Sequence, residues 1–283
     1  MSPPLETIRD AIAAVTGTRP PGSPEHVSGG CINQAARLGD FFVKTNTPDC
    51  LPMFEAEADG LRAIAATRTI RVPEPIVSGT TDSSAYLVLE WLDLGHRGDG
   101  AVLGEQLAAL HRHTSPTHGW HRDNTIGATH QPNPPTPNGI EFLRDHRLGH
   151  MLRLLADRGT VIPGADSLLD RLDDFFPAGP PPASLLHGDL WAGNASFLGD
   201  GTPVIFDPAT HFADREADLA MSSLFGGFSP HFYDAYRSSY PPDQGHQQRQ
   251  TLYQLYHILN HALLFGGGYA SQARSMIATL HSA

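Results

Sequence analysis

Apolar positions first recur at helical spacing. Leu5, Ile8, Ile12 and Val15 mark one face of a segment over 5–16, which Gly17 and the Pro20-Pro21 pair bring to a stop. The pattern then shortens to strand, glycine turn, strand, a second turn at Gly39-Asp40, and the strand Phe41-Phe42-Val43-Lys44. Residues 52–66 return to helical period, with Pro52 suited to the first turn and Phe54, Ala58 and Leu61 on one face. Val72 to Gly79 reads as a turn into an edge strand. Residues 85–92 form the clearest central strand of this half, and a polar, glycine-rich stretch follows from Asp93. A hinge at Glu90–Asp93 therefore divides the chain into a lobe over 1–92 and a lobe over 93–283. The second half is helical, over 103–113, 140–155, 165–176, 229–236 and 250–265. The proline-rich run 131–139 is a rigid loop between two of these helices, and 177–182 is a proline-rich connection.

The chemistry concentrates after that connection. Leu185-Leu186-His187-Gly188-Asp189-Leu190-Trp191-Ala192-Gly193-Asn194 is an apolar pair entering a polar loop, and Val204-Ile205-Phe206-Asp207-Pro208 is a short strand ending in a second aspartate. The order Asp, four residues, Asn, strand, Asp matches the phosphoryl-transfer layout of protein kinases. In that layout the first aspartate receives the substrate proton, and the asparagine and second aspartate hold magnesium. A triphosphate needs a hard cation with oxygen ligands, and an acceptor hydroxyl needs a carboxylate beside it.

The first half supplies matching parts. The Gly29-Gly30 turn lets backbone amides approach phosphates, and Lys44, at the end of an apolar strand, reaches them. Glu55 and Glu57 are two apart and cannot point the same way on a helix; Glu57 borders the inward face and is the expected partner of Lys44. Backbone groups at Glu90, Trp91 and Leu92 would bond an adenine edge. Asp218, just before an apolar run, is a poor place for an unpaired carboxylate, so it is expected to brace the catalytic loop through backbone donors. Asp214 can cap the following helix and is also a substrate-side candidate. Trp191 either stacks on the substrate or supports the loop as a core aromatic. Cys31 is either an oxidisable thiol in the phosphate loop or inert. His111, His113, His118 and His121 match no familiar zinc spacing, so packing and hydrogen bonding outweigh a metal reading.

Composition narrows the partners. A formal net charge of −11 opposes binding to nucleic acid and to anionic membrane, while leaving room for a small cationic substrate. No apolar run is long enough for a membrane span, and the first residues, Met-Ser-Pro-Pro-Leu-Glu, do not form a secretory signal. The two cysteines make no disulfide framework, and a cytoplasmic setting is expected.

With these residues laid out, the chain resembles the fructosamine kinase (ketosamine-3-kinase) family, in the aminoglycoside and choline kinase branch of the protein-kinase-like fold. The resemblance runs from about Ser28 to Leu280. It rests on Gly29-Gly30-Cys31-Ile32-Asn33, Phe42-Val43-Lys44, Phe54-Glu-Ala-Glu57, the loop 186–194, Ile205-Phe-Asp-Pro-Ala209, Arg215-Glu-Ala-Asp-Leu-Ala-Met221, Leu224-Phe-Gly-Gly-Phe228 and Leu252-Tyr-Gln-Leu-Tyr256. It implies an α+β, bilobal fold, with an antiparallel sheet and helices in a small first lobe and a larger, mostly helical second lobe. It implies Asp189 as base, Asn194 and Asp207 as magnesium ligands, and Lys44, paired with Glu57, on the phosphates of ATP. The implied acceptor is the third-carbon hydroxyl of a sugar joined to a small or protein-bound amine. A kinase of another small alcohol, such as an aminoglycoside, would use the same residues; a silent nucleotide-binding module would be expected to lack one of them. One departure bears on substrate shape. The family usually carries a tryptophan just beyond its Pro-Gln-x-Asn loop, and Gln131 to Phe142 has none.

Overall fold

A computed structural model describes residues 3–27 and 32–282. The chain divides into two compact units, Met1–Gly98 with Ala195–Pro208, and Asp99–Asn194 with Ala209–Ala283. The division expected at residue 92 compares with a break after Gly98, and a later segment rejoins the first unit because its strands pair there.

In the first unit, α1 (Pro3–Thr16) buries Ile8 and Ile12, as the spacing predicts. Strands β1 (Glu25–His26), β2 (Gln34–Leu38) and β3 (Phe41–Asn46) lead to α2 (Leu51–Thr67), then β4 (Pro75–Thr80), β5 (Ala85–Glu90) and the short β6 (Leu94–Gly95). The first five strands form one antiparallel sheet in the order β1-β2-β3-β5-β4, so β4 is an edge and β5 is interior. Successive residues of a strand point to opposite faces. Val43, Tyr86 and Val88 therefore pack with Ile8 and Ile12 of α1, while Lys44 points to the other face, where α2 lies. α2 holds Pro52 in its first turn and buries Phe54, Ala58, Leu61 and Ile64.

The second unit starts with α3 (Gly100–Leu110), β7 (Thr114–Ser115) and the hairpin β8 (Asn124–Ile126) and β9 (Thr129–Gln131). The helix expected over 140–155 is two helices, α4 (Gly139–Leu143) and α5 (Gly149–Asp157), joined by a π-helical stretch at Arg144–Leu148. Periodicity does not reveal this, because the π turn inserts within an unbroken apolar rhythm; such turns gather at functional sites. The helix expected over 165–176 stops as α6 at Ala165–Asp170, and Leu172–Phe175 tightens to a 3-10 turn. Leu168, Leu172, Phe175 and Phe176 are still all buried, so the pattern told the face but not the pitch.

Next come β10 (Ala183–Leu186), β11 (Ala195–Leu198), β12 (Pro203–Ile205) and β13 (His211–Ala213). β11 and β12 pair antiparallel with each other, and β11 pairs with β6, which is why this segment belongs to the first unit. β13, β10 and β7 make a small sheet in the second. Helices α7 (Glu216–Leu224), α8 (Pro230–Ser239), α9 (His246–Phe265) and α10 (Tyr269–His281) complete the chain. α9 is the centre of this unit's core: Leu252, Leu255, Ile258 and Leu259 bury against α5, α7 and α10. Among the described residues no helix is long and apolar enough to cross a membrane.

Candidate active site

Lys44 is a buried cation of the first unit. Its Nζ donates to Glu57 Oε1 at 2.6 Å and to Asp207 Oδ1 at 2.5 Å. Glu57, not Glu55, is the helix partner, as the inward face of α2 requires. Burial alone would depress the Lys44 ammonium, but the charges of Asp207 and Glu57 overrule it and raise its pKa above the ordinary lysine value. Glu57 is pushed up, first by burial and then by the charge of Asp207, with Lys44 opposing. One ammonium thus serves two carboxylates. Asp207 itself is unusual in its backbone: φ is +58°, a left-handed conformation that costs a non-glycine residue roughly 1–2 kcal/mol. That turn directs the carboxylate at the end of β12 back toward Lys44. The ladder sets Ala195 opposite Ile205, and Asp207 follows just beyond the last residue of β12.

The loop His187–Asn194 belongs to the second unit and is held from behind by Asp218. Its Oδ2 accepts the N–H of His187 at 2.8 Å and its Oδ1 accepts the N–H of Gly188 at 2.8 Å. His111 Nε2 lies 3.1 Å from Oδ2, and Tyr236 Oη lies 2.7 Å from His111 Nδ1. Arg215 donates in turn to Tyr236 Oη at 3.2 Å. Burial would raise the Asp218 carboxyl, but the donors from His111 and the loop backbone hold it below the usual range. The brace expected of Asp218 is therefore present. His111 and Tyr236 were not foreseen; a histidine closing the apolar face of α3 was the available signal.

Gly188 cannot be another residue. Its φ is +85°, and a Cβ there would lie 2.2 Å from the carbonyl oxygen of Ala209. Beyond it Asp189 is half-buried, and Asn194 Nδ2 donates to Asp189 O at 2.9 Å, with Asp189 Oδ2 at 3.5 Å. The amide nitrogen of Asn194 is thereby turned to Asp189, and its oxygen is the atom suited to a cation. Trp191 is 38 % exposed, so it is not a core aromatic. Its ring lies over Gly193, where a Cβ would come within 2.3 Å of it.

Other expectations fare differently. Gly29, Gly30 and Cys31 lie outside the described residues. The N–H groups of Glu90 and Trp91, expected to meet an adenine, already donate to Glu74 O at 2.9 Å and Asp40 O at 2.8 Å. The Trp91 ring packs under Arg37 and beside Phe42. Asp214, a substrate-side candidate, is buried with both oxygens engaged: Oδ1 accepts the Glu216 N–H at 3.0 Å and Oδ2 accepts from Tyr253 at 2.6 Å. It caps the start of α7, and burial followed by the charge of Glu216 raises its pKa to about 6. Among the described residues no group of three or more histidine, cysteine or acidic side chains is placed to hold a metal.

A lysine shared by two carboxylates, and an Asp–Asn loop braced by a buried aspartate, are the parts of a phosphoryl-transfer enzyme. The fructosamine kinase family model matches residues 4–283. The chain belongs to the fructosamine kinase family. A probable ketoamine kinase from Synechocystis is 48 % identical, over 97 % of this chain and 96 % of that one. A chloroplastic protein-ribulosamine 3-kinase from Arabidopsis thaliana is 42 % identical, over 89 % of this chain and 80 % of its own. A solved structure from Haemophilus somnus, described as a fructosamine-3-kinase, superposes with a TM-score of 0.91 at 28 % identity, covering 98 % and 97 % of the two chains. The α+β fold is protein-kinase-like, and the family member is a phosphotransferase.

Proposed function

We propose that this family member transfers the γ-phosphate of ATP to the third-carbon hydroxyl of a ketosamine, the sugar adduct of a small or protein-bound amine. The observation that carries the reading is Lys44 held by both Glu57 and Asp207, with Asp207 leaving the hairpin of β11 and β12. The names of the ketoamine and ribulosamine kinase relatives support the acceptor class.

Asp189 accepts the proton of the acceptor hydroxyl and aligns it for in-line attack on the γ-phosphorus; the P–O bond to ADP breaks as the new one forms. Lys44 binds the inner phosphates, and Glu57 keeps it extended. Asn194 Oδ1 and the Asp207 carboxylate are hard oxygen donors of the kind magnesium selects, and Asp207, half-exposed at its side chain, is accessible to it. Asn194 and Asp207 would hold magnesium, which would supply neutralisation of the triphosphate charge. Backbone groups from Leu92 onward read the adenine, since the two amides before it are committed within the first unit. Trp191 offers its exposed face to the sugar or its cationic amine. The 3-phosphate product is labile and frees the amine, so the reaction repairs glycated amines.

An ADP-release screen over glycated lysine, ribated lysine, aminoglycosides and choline tests the substrate class, with phosphorus NMR of the product locating the new ester. Turnover confined to aminoglycosides or choline overturns the proposal. Asp189→Asn should lower kcat by about 10³-fold or more while ATP affinity stays within about twofold.

A further inference from the structure

The loop around Gln131 and Asn133 carries more polar side chains than a rigid turn needs, and they point inward. Asn124, Gln131, Asn133 and Arg147 are all buried. Arg147 extends from the π-helical stretch and, among the described residues, forms no ion pair; its guanidinium donates to Asn133 Oδ1 at 2.6 Å and to Pro132 O at 2.7 Å. An arginine can only donate, so it fixes the orientation of every amide that follows. Asn133 must turn its oxygen to Arg147, and its nitrogen then donates to Asn124 Oδ1 at 2.9 Å. Asn124, its oxygen taken, donates through Nδ2 to Thr210 O at 2.9 Å. Gln131 joins at the same oxygen, donating at 2.7 Å, and Tyr256 holds its other end at 2.5 Å. A second contact from Gln131 Nε2 reaches Ala209 O at 3.5 Å.

Ala209 and Thr210 are the residues just after Asp207-Pro208. Ala209 O also accepts from His211 Nδ1 at 2.9 Å, and it is the atom against which Gly188 packs without room for a Cβ. Ala209 N donates to His187 O at 2.9 Å. The amide chain therefore ends on the backbone that clamps the catalytic loop from the side opposite its sequence neighbours. Asp218 takes the N–H groups of His187 and Gly188, and Ala209 takes the carbonyl of His187.

We infer that Asn124, Gln131, Asn133 and Arg147 are positioning residues for phosphoryl transfer: a one-directional hydrogen-bond chain, started by a buried cation, that sets Ala209-Thr210 and through them the His187-Gly188-Asp189 turn. The inference rests on the reading of Asp189 as the base. It also gives the loop Gln131-Pro132-Asn133 a task inside the protein.

The test uses two near-isosteric changes. Asn124→Asp keeps its acceptor for Asn133 and Gln131 but has no donor for Thr210 O. Gln131→Glu keeps its acceptor for Tyr256 and loses its donors. A misplacement of about 1 Å at a reacting group costs on the order of 100-fold in rate. Asn124→Asp should therefore lower kcat about 10–100-fold, and Gln131→Glu by less, with KM for ATP within about twofold. Hydrogen exchange should quicken at 187–190 and 209–211 and nowhere else. A general loss of packing would instead move exchange throughout the second unit and lower activity only in step with the folded fraction, and that result overturns the inference. So does a wild-type kcat in either folded variant; if Asn124→Asp fails to fold, Gln131→Glu decides. Asp189→Asn is run alongside. Full turnover in that variant defeats the assignment of the base, whereas a silent Asp189→Asn beside fully active Asn124→Asp and Gln131→Glu defeats the positioning chain alone.

Discussion

Asp207 and Asp218 carry the same formal charge and are held in opposite ways. Asp207 sits at a strained turn with its side chain 44 % exposed and its carboxylate on the Lys44 ammonium. Asp218 is 1 % exposed and takes two backbone N–H groups and a histidine. The first arrangement suits the proposed role of Asp207, a carboxylate that would exchange its partner when nucleotide and metal arrive, because a solvent-screened ion pair is weak. The second suits a carboxylate whose task is to keep a backbone turn unchanged, since removing it strands buried donors. Water access, more than charge, separates a group that ligates from a group that braces.

The sharpest way to break this comparison is Asp218→Ala. It leaves the His187 and Gly188 amides and His111 without their acceptor, each at about 1–3 kcal/mol. We expect a stability loss on the order of 3–5 kcal/mol in urea unfolding, and a fall in kcat of about 100-fold in whatever remains folded. Asp207→Asn should cost as much activity but, at a half-exposed site, less than about 1 kcal/mol of stability. Equal destabilisation by the two changes would erase the distinction drawn here.

Acidification gives the smaller effect. Burial first, and then neighbouring charge, push His257 down to about 3 and His211 well below its ordinary value. Their folded pKa values lie below the unfolded one, so their contribution is whole above about pH 6.5 and is lost as pH falls, at about 1.4 kcal/mol per unit for each. Asp214 works the other way: raised to about 6, it favours the folded state below the unfolded carboxylate range, and that contribution is lost as pH rises through about 6. The two histidines outweigh it, so urea melts at pH 7 and pH 5 should differ by on the order of 2–3 kcal/mol, and His257→Leu should reduce the difference by about three-quarters. A flat profile would show that these histidines accept protons in the fold.

Part of this site was readable in advance. Lys44 ends an apolar strand, and the face defined by Phe54, Ala58 and Leu61 selects Glu57 over Glu55, because helix geometry alone decides which carboxylate turns inward. Asp218 before an apolar run already demanded buried donors. What escaped was non-local. His111 and Tyr236 are 125 residues apart. The π stretch that sets Arg147 is invisible to apolar periodicity, and the pairing of β11 with β6 that carries Asp207 into the first unit depends on residues about a hundred positions away. The N–H groups of Glu90 and Trp91 are engaged by Glu74 O and Asp40 O, partners that local pattern does not reveal.

The linear chain by itself determined the helix and strand faces, the kinds of group in the site and their order, because these follow from side-chain period and from the chemistry a triphosphate demands. Only the tertiary structure decided which carboxylate would be wet and which dry, which amides were already engaged, and which direction the buried hydrogen bonds run. Those outcomes depend on burial and on donors brought together from distant segments, and neither quantity exists until the chain has closed around them.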